Sequence, residues 1–318
     1  MKFPSPSSAE AVVAVSDLSR RFGPKTVLDQ LSMYVPRGGV FGLVGENGAG
    51  KTTLIKHVLG LLRAETGSVR VFGRNPVQEP VEVLGRIGYL SEQPDLPGWM
   101  RMDELLRYSS AFYPSWDAAY AEHLRQTFAL DKRQRIRTLS KGQKAKAALL
   151  IAQAHRPELL VLDEPSSGLD PVVRRDILEA IIRTVGDEGR TVFFSSHLLE
   201  EIERVADHIA MLHEGKMVLC GSLDEIKAQH RRMLWRFEET QAQAPVVAGS
   251  LSVTGLGKEW MITCNGAQSE LRALAGRMGA RVLDEHTPSL NELFIAYANR
   301  KGTGANQQGN LCAGPSLH

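Results

Sequence analysis

Eight consecutive residues constrain this chain more than any others: Gly45-Glu46-Asn47-Gly48-Ala49-Gly50-Lys51-Thr52. The run Val40-Phe41-Gly42-Leu43-Val44 stands before them, short and continuously apolar, as expected of a strand buried on both faces. Helical periodicity follows from Lys51 to Leu62. The order strand, glycine loop, helix places the segment in an α/β fold. Glycines at this spacing let the backbone wrap a polyphosphate and turn successive N–H groups inward, and the helix adds its positive end. In such a loop Lys51 reaches the terminal phosphates and the Thr52 hydroxyl binds Mg2+. A Gly-rich turn that binds nothing is the competing reading of this segment alone.

The rest of the chain tells which α/β fold. Ala11–Phe22 and Thr26–Val35 read as strands joined by turns, after a Pro/Ser-rich lead over 1–10. From about 94 to 155 helical patterns replace strands. Ser115 is the expected N-cap of a helix over Trp116–Ala129, and Ser140 of the next, which must stop before Pro157. Leu159–Leu162 is another buried strand, Asp170-Pro171 starts a helix, and Thr191–Ser195 is a further strand. A hairpin over Ile209–Leu219 turns at Glu214-Gly215, and Ser222-Leu223-Asp224-Glu225 reads as a capping box. Residues 231–300 form a small α+β unit with helices at 268–278 and 289–298 and a strand at 280–285. The Gly/Asn/Gln-rich segment 301–318 has too little apolar content to order itself.

Composition excludes little else. The charge balance is +2, which advertises neither nucleic acid nor a membrane surface as partner. No apolar run approaches the ~18 residues needed to span a bilayer. Cys220, Cys264 and Cys312 form no CxxC pair, so reduced thiols without a metal site are expected.

Three further segments carry chemistry. Leu159-Leu160-Val161-Leu162-Asp163-Glu164 is a buried strand that delivers two carboxylates at its C-terminal end. Asp163 there would hold Mg2+ and Glu164 would polarise an attacking water; a strand followed by an acidic turn reads equally well in isolation. His197 closes the Thr191–Ser196 segment and offers an N–H to a γ-phosphate, or is simply structural. Leu139-Ser140-Lys141-Gly142-Gln143 puts Ser and Gly at a helix N-terminus, a second anion site or an ordinary cap.

Taken together, these segments resemble the ATPase domain of the ATP-binding cassette (ABC) superfamily over roughly residues 11–228. The resemblance implies a P-loop NTPase ABC ATPase core with a β-subdomain and an inserted helical subdomain (about 94–155). It makes 11–230 one ATPase domain and 231–300 a small α+β C-terminal domain. It implies that Phe22 stacks on adenine and that Gly45 to Thr53, including Glu46, Asn47, Ala49 and Thr53, is the Walker A loop. Gln93, in Tyr89-Leu90-Ser91-Glu92-Gln93-Pro94, is the Q-loop glutamine that links Mg2+ to a transmembrane partner. Leu139 to Gln143 is the signature motif, with Ser140, Gly142 and Gln143 facing nucleotide. Asp163 is the Walker B aspartate, Glu164 the catalytic glutamate, Ser167-Gly168-Leu169-Asp170 the D-loop and His197 the switch histidine. The signature departs from the usual form at Lys141, where glycine is common; a solvent-facing side chain is expected there.

The same resemblance implies ATP and Mg2+ as cofactors and a head-to-tail dimer, with a second copy or with a paralogous ATPase. It implies a separate membrane permease and a cytoplasmic, peripheral place on the inner face of the cell membrane. Thr287-Pro288-Ser289-Leu290-Asn291-Glu292-Leu293-Phe294 and Phe112-Tyr113-Pro114-Ser115-Trp116-Asp117 resemble ATPases of ABC-2-type exporters. An importer ATPase, or a soluble ABC ATPase acting on ribosomes or DNA, is the alternative. The chain has one cassette, no sustained heptads and no concentrated basic stripe, so no nucleic-acid partner is expected. Trp99 and Met100 either form an apolar notch for a membrane-subunit helix or pack in the core.

Overall fold

The computed structural model describes residues 11–186, 189–266 and 268–299. Strands β1 (Ala11–Phe22) and β2 (Lys25–Pro36) pair antiparallel, and β3 (Gly39–Gly45) runs into the glycine loop. Helix α1 (Lys51–Val58) follows; it stops short of the expected Leu62 because Gly60 takes a left-handed φ of 70°. Next come β4 (Thr66–Val71), α2 (Pro80–Leu84) and β5 (Ile87–Leu90). The helical region holds α3 (Met102–Ser110), α4 (Ala118–Thr127), a 3-10 turn (Ile136–Thr138) and α5 (Lys141–Ala154). Then β6 (Leu159–Asp163), α6 (Pro171–Gly186), β7 (Thr191–Ser196), α7 (Leu199–Val205), β8 (His208–His213), β9 (Lys216–Ser222) and α8 (Leu223–Gln229) complete the large body. The C-terminal unit contains β10 (His230–Gln241), β11 (Ser250–Asn265), α9 (Gln268–Arg277), β12 (Ala280–His286) and α10 (Leu290–Ala298).

The central sheet has the order β5-β6-β7-β3-β8-β9, parallel except for β9 at the edge. Side-chain alternation along its strands divides the interior in two. Val40 and Val44 of β3, Leu160 and Leu162 of β6, and Val192 and Phe194 of β7 face the helices α5, α6 and α7. Phe41 and Leu43, Leu159 and Val161, and Phe193 face α1 and the antiparallel sheet β2-β1-β4. The apolar runs read as doubly buried strands therefore each serve two cores. At Gly88 a Cβ would collide with the Ala152 carbonyl, so β5 and α5 approach closely only because that residue is glycine.

Three local expectations need correcting. Asp117, not Ser115, caps α4, accepting from the Tyr120 amide at 2.8 Å. The Ser115 hydroxyl instead donates to the His155 carbonyl at 3.0 Å. Ser222 precedes α8 but makes no side-chain cap bond. Cys264 is a buried free thiol, whereas Cys220 is disulfide-bonded.

Sheet β11-β10-β12 and α9 bury a separate small core around Trp235, Ile262 and Leu271. Helix α10 leaves that unit. Its Leu290, Leu293 and Phe294 enter the large core, and the Leu290 amide donates to Glu203 Oε2 of α7 at 3.3 Å. The expected flexible lead, 1–10, and tail, 301–318, lie outside the described residues.

Candidate functional site

The site is built where β3, β6 and β7 end side by side. Leu162 and Phe194 are paired across β6 and β7, and Val44 and Ser196 across β3 and β7, so Gly45, Asp163 and Ser196 stop at one edge. The loop after β3 depends on glycine. Gly48 and Gly50 hold φ of 83° and 109°, and a Cβ on Gly50 would stand 2.7 Å from Leu28 Cδ2 and 2.8 Å from the Val27 carbonyl. The Ala49 amide closes the turn on the Glu46 carbonyl at 3.1 Å.

Lys51 begins α1 yet is buried, with 5% of its surface exposed. Its ammonium donates to the Gly45 and Glu46 carbonyls at 2.7 and 3.2 Å and pairs with Glu164 Oε1 at 3.0 Å. The other Glu164 oxygen accepts from His197 Nδ1 at 2.6 Å and from the His197 amide at 3.3 Å. Lys51, Glu164 and His197 thus form one continuous polar chain across the ends of three strands. With Nδ1–H given to Glu164, Nε2 is the ring nitrogen turned away from the carboxylate, and it donates to a phosphate oxygen when the ring carries both protons. Glu164 holds a φ of 50°, a costly conformation of about 1–3 kcal/mol for a residue with a Cβ. Its amide is secured by Ser195, through the hydroxyl at 3.0 Å and the carbonyl at 3.2 Å.

Ser195 has a second bond. Its hydroxyl donates to Asp163 Oδ1 at 2.7 Å, which orients a carboxylate only 2% exposed. Burial, with the Asp163 charge beside it, pushes the Tyr89 phenol up to about 12. Thr52, exposed on the first turn of α1, and Asp163 supply hard oxygen donors. Mg2+ commonly uses one or two such side chains together with phosphate oxygens, so this donor set fits it. Among the described residues no cluster of three His, Cys, Asp or Glu suits a tighter metal.

The remaining expected residues lie around this centre. Phe22 ends β1 with 47% exposure and the Arg20 guanidinium 4.7 Å from its ring centroid, leaving an aromatic surface accessible. Gln93 is exposed in the loop after β5. Its neighbour Glu92 accepts from the Ser167 hydroxyl at 3.3 Å, joining that loop to the one after β6. Asp170 caps α6, accepting from the Val172 and Val173 amides at 3.0 and 3.1 Å.

Ser140 and Gln143 form a reciprocal capping box at the start of α5, at 2.9 and 3.2 Å, and Gly142 is buried there against Val173. None of the hydrogen bonds or ion pairs described joins these residues to the Lys51 loop. Lys141 is exposed, as expected of a side chain turned to solvent, and its ammonium lies over Gly168. Ser195 is the functional residue that motif reading passes over. Its signal is a Ser-Ser pair closing the apolar Thr191–Phe194 run, where buried hydroxyls need partners.

The ABC transporter family matches residues 28–167. The bacitracin transport ATP-binding protein BcrA of Bacillus licheniformis is 32% identical over 225 residues, covering 70% of this chain and 74% of that protein. The chain belongs to the ABC transporter ATP-binding proteins. It is an ATPase subunit of that family. The ABC transporter ATP-binding protein YdbJ of Bacillus subtilis is 30% identical over 316 residues, covering 94% of this chain and 98% of its own. A solved ATP-binding subunit of an ABC transporter is 31% identical with a TM-score of 0.62, over 69% of this chain and 92% of that one. An ATP-binding cassette solved in a post-hydrolysis state with ADP and Pi shares the fold at a TM-score of 0.59 and 18% identity, over 66% of this chain and 98% of that one.

Proposed function

We propose that this ATPase powers export through a separate membrane permease, as one of two copies that close around ATP. The observation that carries the catalytic part is the buried chain Lys51–Glu164–His197, at 3.0 and 2.6 Å. Lys51 leaves Glu164 to meet the β- and γ-phosphates, while the Gly45–Thr53 loop offers its amides. Glu164, freed on that side and still held by His197, takes a proton from the attacking water. His197, carrying a proton on each ring nitrogen, donates Nδ1–H to Glu164 and Nε2–H to the γ-phosphate. Thr52, Asp163 and Gln93 would hold Mg2+, which would neutralise charge on the phosphates. Phe22 supports the adenine ring.

Ser140 and Gln143 bond to each other, and no described hydrogen bond or ion pair links Ser140, Gly142 or Gln143 to the Lys51 loop. Their amide-bearing helix end, with Asp170 in the adjoining loop, serves the nucleotide of a second copy. ATP then joins the copies and hydrolysis releases them. Among the described residues no helix is long and apolar enough to cross a membrane. The membrane path in this reading belongs to the permease, and the subunit works at its inner face. Trp99 supports the docking part: it is 68% exposed, while its neighbour Met100 is buried in the core. Export rests on the Thr287–Phe294 segment and on the relation to a bacitracin transport protein.

The test uses two variants of the full chain. Lys51→Ala should lose ATP binding. Ser140→Arg should bind ATP as before, but hydrolyse it slowly and fail to associate. A Ser140→Arg chain with wild-type turnover would sink the shared-site reading.

A further inference from the structure

Glu201 is a buried carboxylate that none of the steps above uses. It lies on the first turn of α7 with 5% exposure. Its Oε2 accepts from the Ser166 hydroxyl at 2.6 Å and from the Ser196 hydroxyl at 3.0 Å. Its Oε1 pairs with Arg174 Nε of α6 at 3.1 Å. Each partner holds something else. Ser196 is the residue before His197, and its hydroxyl accepts from the Leu198 amide at 3.0 Å. Ser166 is two residues beyond Glu164 in the loop that leads to α6. Arg174 reaches back to the Leu169 carbonyl of that loop at 3.4 Å.

One carboxylate therefore ties the backbone carrying His197 to the backbone carrying Glu164. A buried carboxylate is tolerated because two hydroxyls donate to one oxygen and the Arg174 charge stands beside the other. Its position sets how closely the imidazole approaches Glu164, the 2.6 Å contact on which water activation depends. We infer that Glu201 is a positioning residue for hydrolysis, holding His197 and Glu164 in register through Ser196, Ser166 and Arg174. The inference rests on the proposed roles of Glu164 and His197. A purely structural tie would lower stability alone, whereas a positioning tie also lowers turnover, because misplacing a catalytic group by about 1 Å costs up to ~100-fold.

The experiment follows MgATP hydrolysis by the full-length chain against ATP concentration. Glu201→Ala should lower kcat about tenfold or more while KM changes less than about threefold. Glu201→Gln keeps an acceptor for one serine and should recover part of that loss. In a His197→Ala background, measured by single turnover, removing Glu201 should cost less than it does in the wild-type chain, since the part of its effect that passes through the histidine is already gone. Ser166→Ala removes a donor without stranding a charge and serves where Glu201→Ala does not fold; it should lower kcat about threefold. An unchanged kcat in the Ser166→Ala and Glu201→Gln variants overturns the inference, as does a full multiplicative loss in the His197→Ala background. Wild-type turnover by His197→Ala alone would instead bring down the reading of the site, leaving Glu201 a structural tie.

Discussion

Glu164→Gln should make ATP bind more tightly while nearly abolishing its hydrolysis. The Lys51 ammonium is held by Glu164 Oε1 at 3.0 Å and by two backbone carbonyls at 2.7 and 3.2 Å. Both side chains are at least nine-tenths buried, so the pair is little screened. Nucleotide must draw Lys51 away from this partner. A hydrogen bond to a charged group contributes about 1.5–3 kcal/mol and one between neutral groups about 0.5–1.5, so an amide in place of the carboxylate frees Lys51 at about 1 kcal/mol less. That converts to roughly fivefold tighter ATP binding. The substitution also removes a carboxylate that would repel a γ-phosphate, which adds in the same direction. Hydrolysis should fall by about 10²–10⁴, the range a positioned general base supplies. Isothermal titration calorimetry and single-turnover phosphate release measure the two effects on the same preparation. Weaker ATP binding by Glu164→Gln would refute the idea that Glu164 holds Lys51 against the nucleotide. Hydrolysis at the wild-type rate would refute its role as base.

Other outcomes follow from packing and charge. Trp99→Ala should leave basal ATPase and Tm unchanged and weaken co-purification with the permease, since the side chain is mostly in solvent; a large drop in Tm would put it in the core. Phe294→Ala should lower Tm by roughly 6–12 °C, from about 3 kcal/mol for a truncated core aromatic, because α10 belongs to the large core. Gly88→Ala should yield little folded protein, as its Cβ would meet the α5 backbone; normal expression with an unchanged Tm would contradict that packing. His57, His155 and His230 are almost fully buried, and burial lowers each below the ordinary 6.5. Their neutral forms favour the fold, so they contribute stability above about pH 6.5 that is lost as pH falls through their lowered values. Thermal melts from pH 7.5 to 5 should show falling Tm, and His230→Gln should reduce the slope.

Much of the site was legible because its chemistry is local. The glycine loop needs glycine at φ values other residues avoid, and the Leu159–Glu164 strand needs apolar residues up to its last position and acids after it. Such demands leave marks on short stretches of sequence. Strands β4 and β5 escaped notice. β5 has four residues, too few to show a period, and β4 is exposed at four of its six positions. The cap at Asp117 rather than Ser115 is a choice between two good capping residues that tertiary contact decides, since Ser115 is drawn to His155. The periodicity over 289–298 predicts a helix but not which core receives it, and α10 crosses from one unit to the other. Glu201 illustrates the same gap. In sequence it sits between Glu200 and Glu203, in what reads as an ordinary solvated acidic turn, and only the approach of three separate elements makes it a buried junction.

The central claim is that the Lys51 loop is half of a site completed by Ser140 of a second copy. Sedimentation of the full-length Glu164→Gln chain, with and without ATP, tests it most directly. The account predicts a single chain without nucleotide, a two-chain species at saturating ATP, and a single chain again when Ser140→Arg is added. A Glu164→Gln chain that binds ATP to saturation yet sediments as one chain would contradict it.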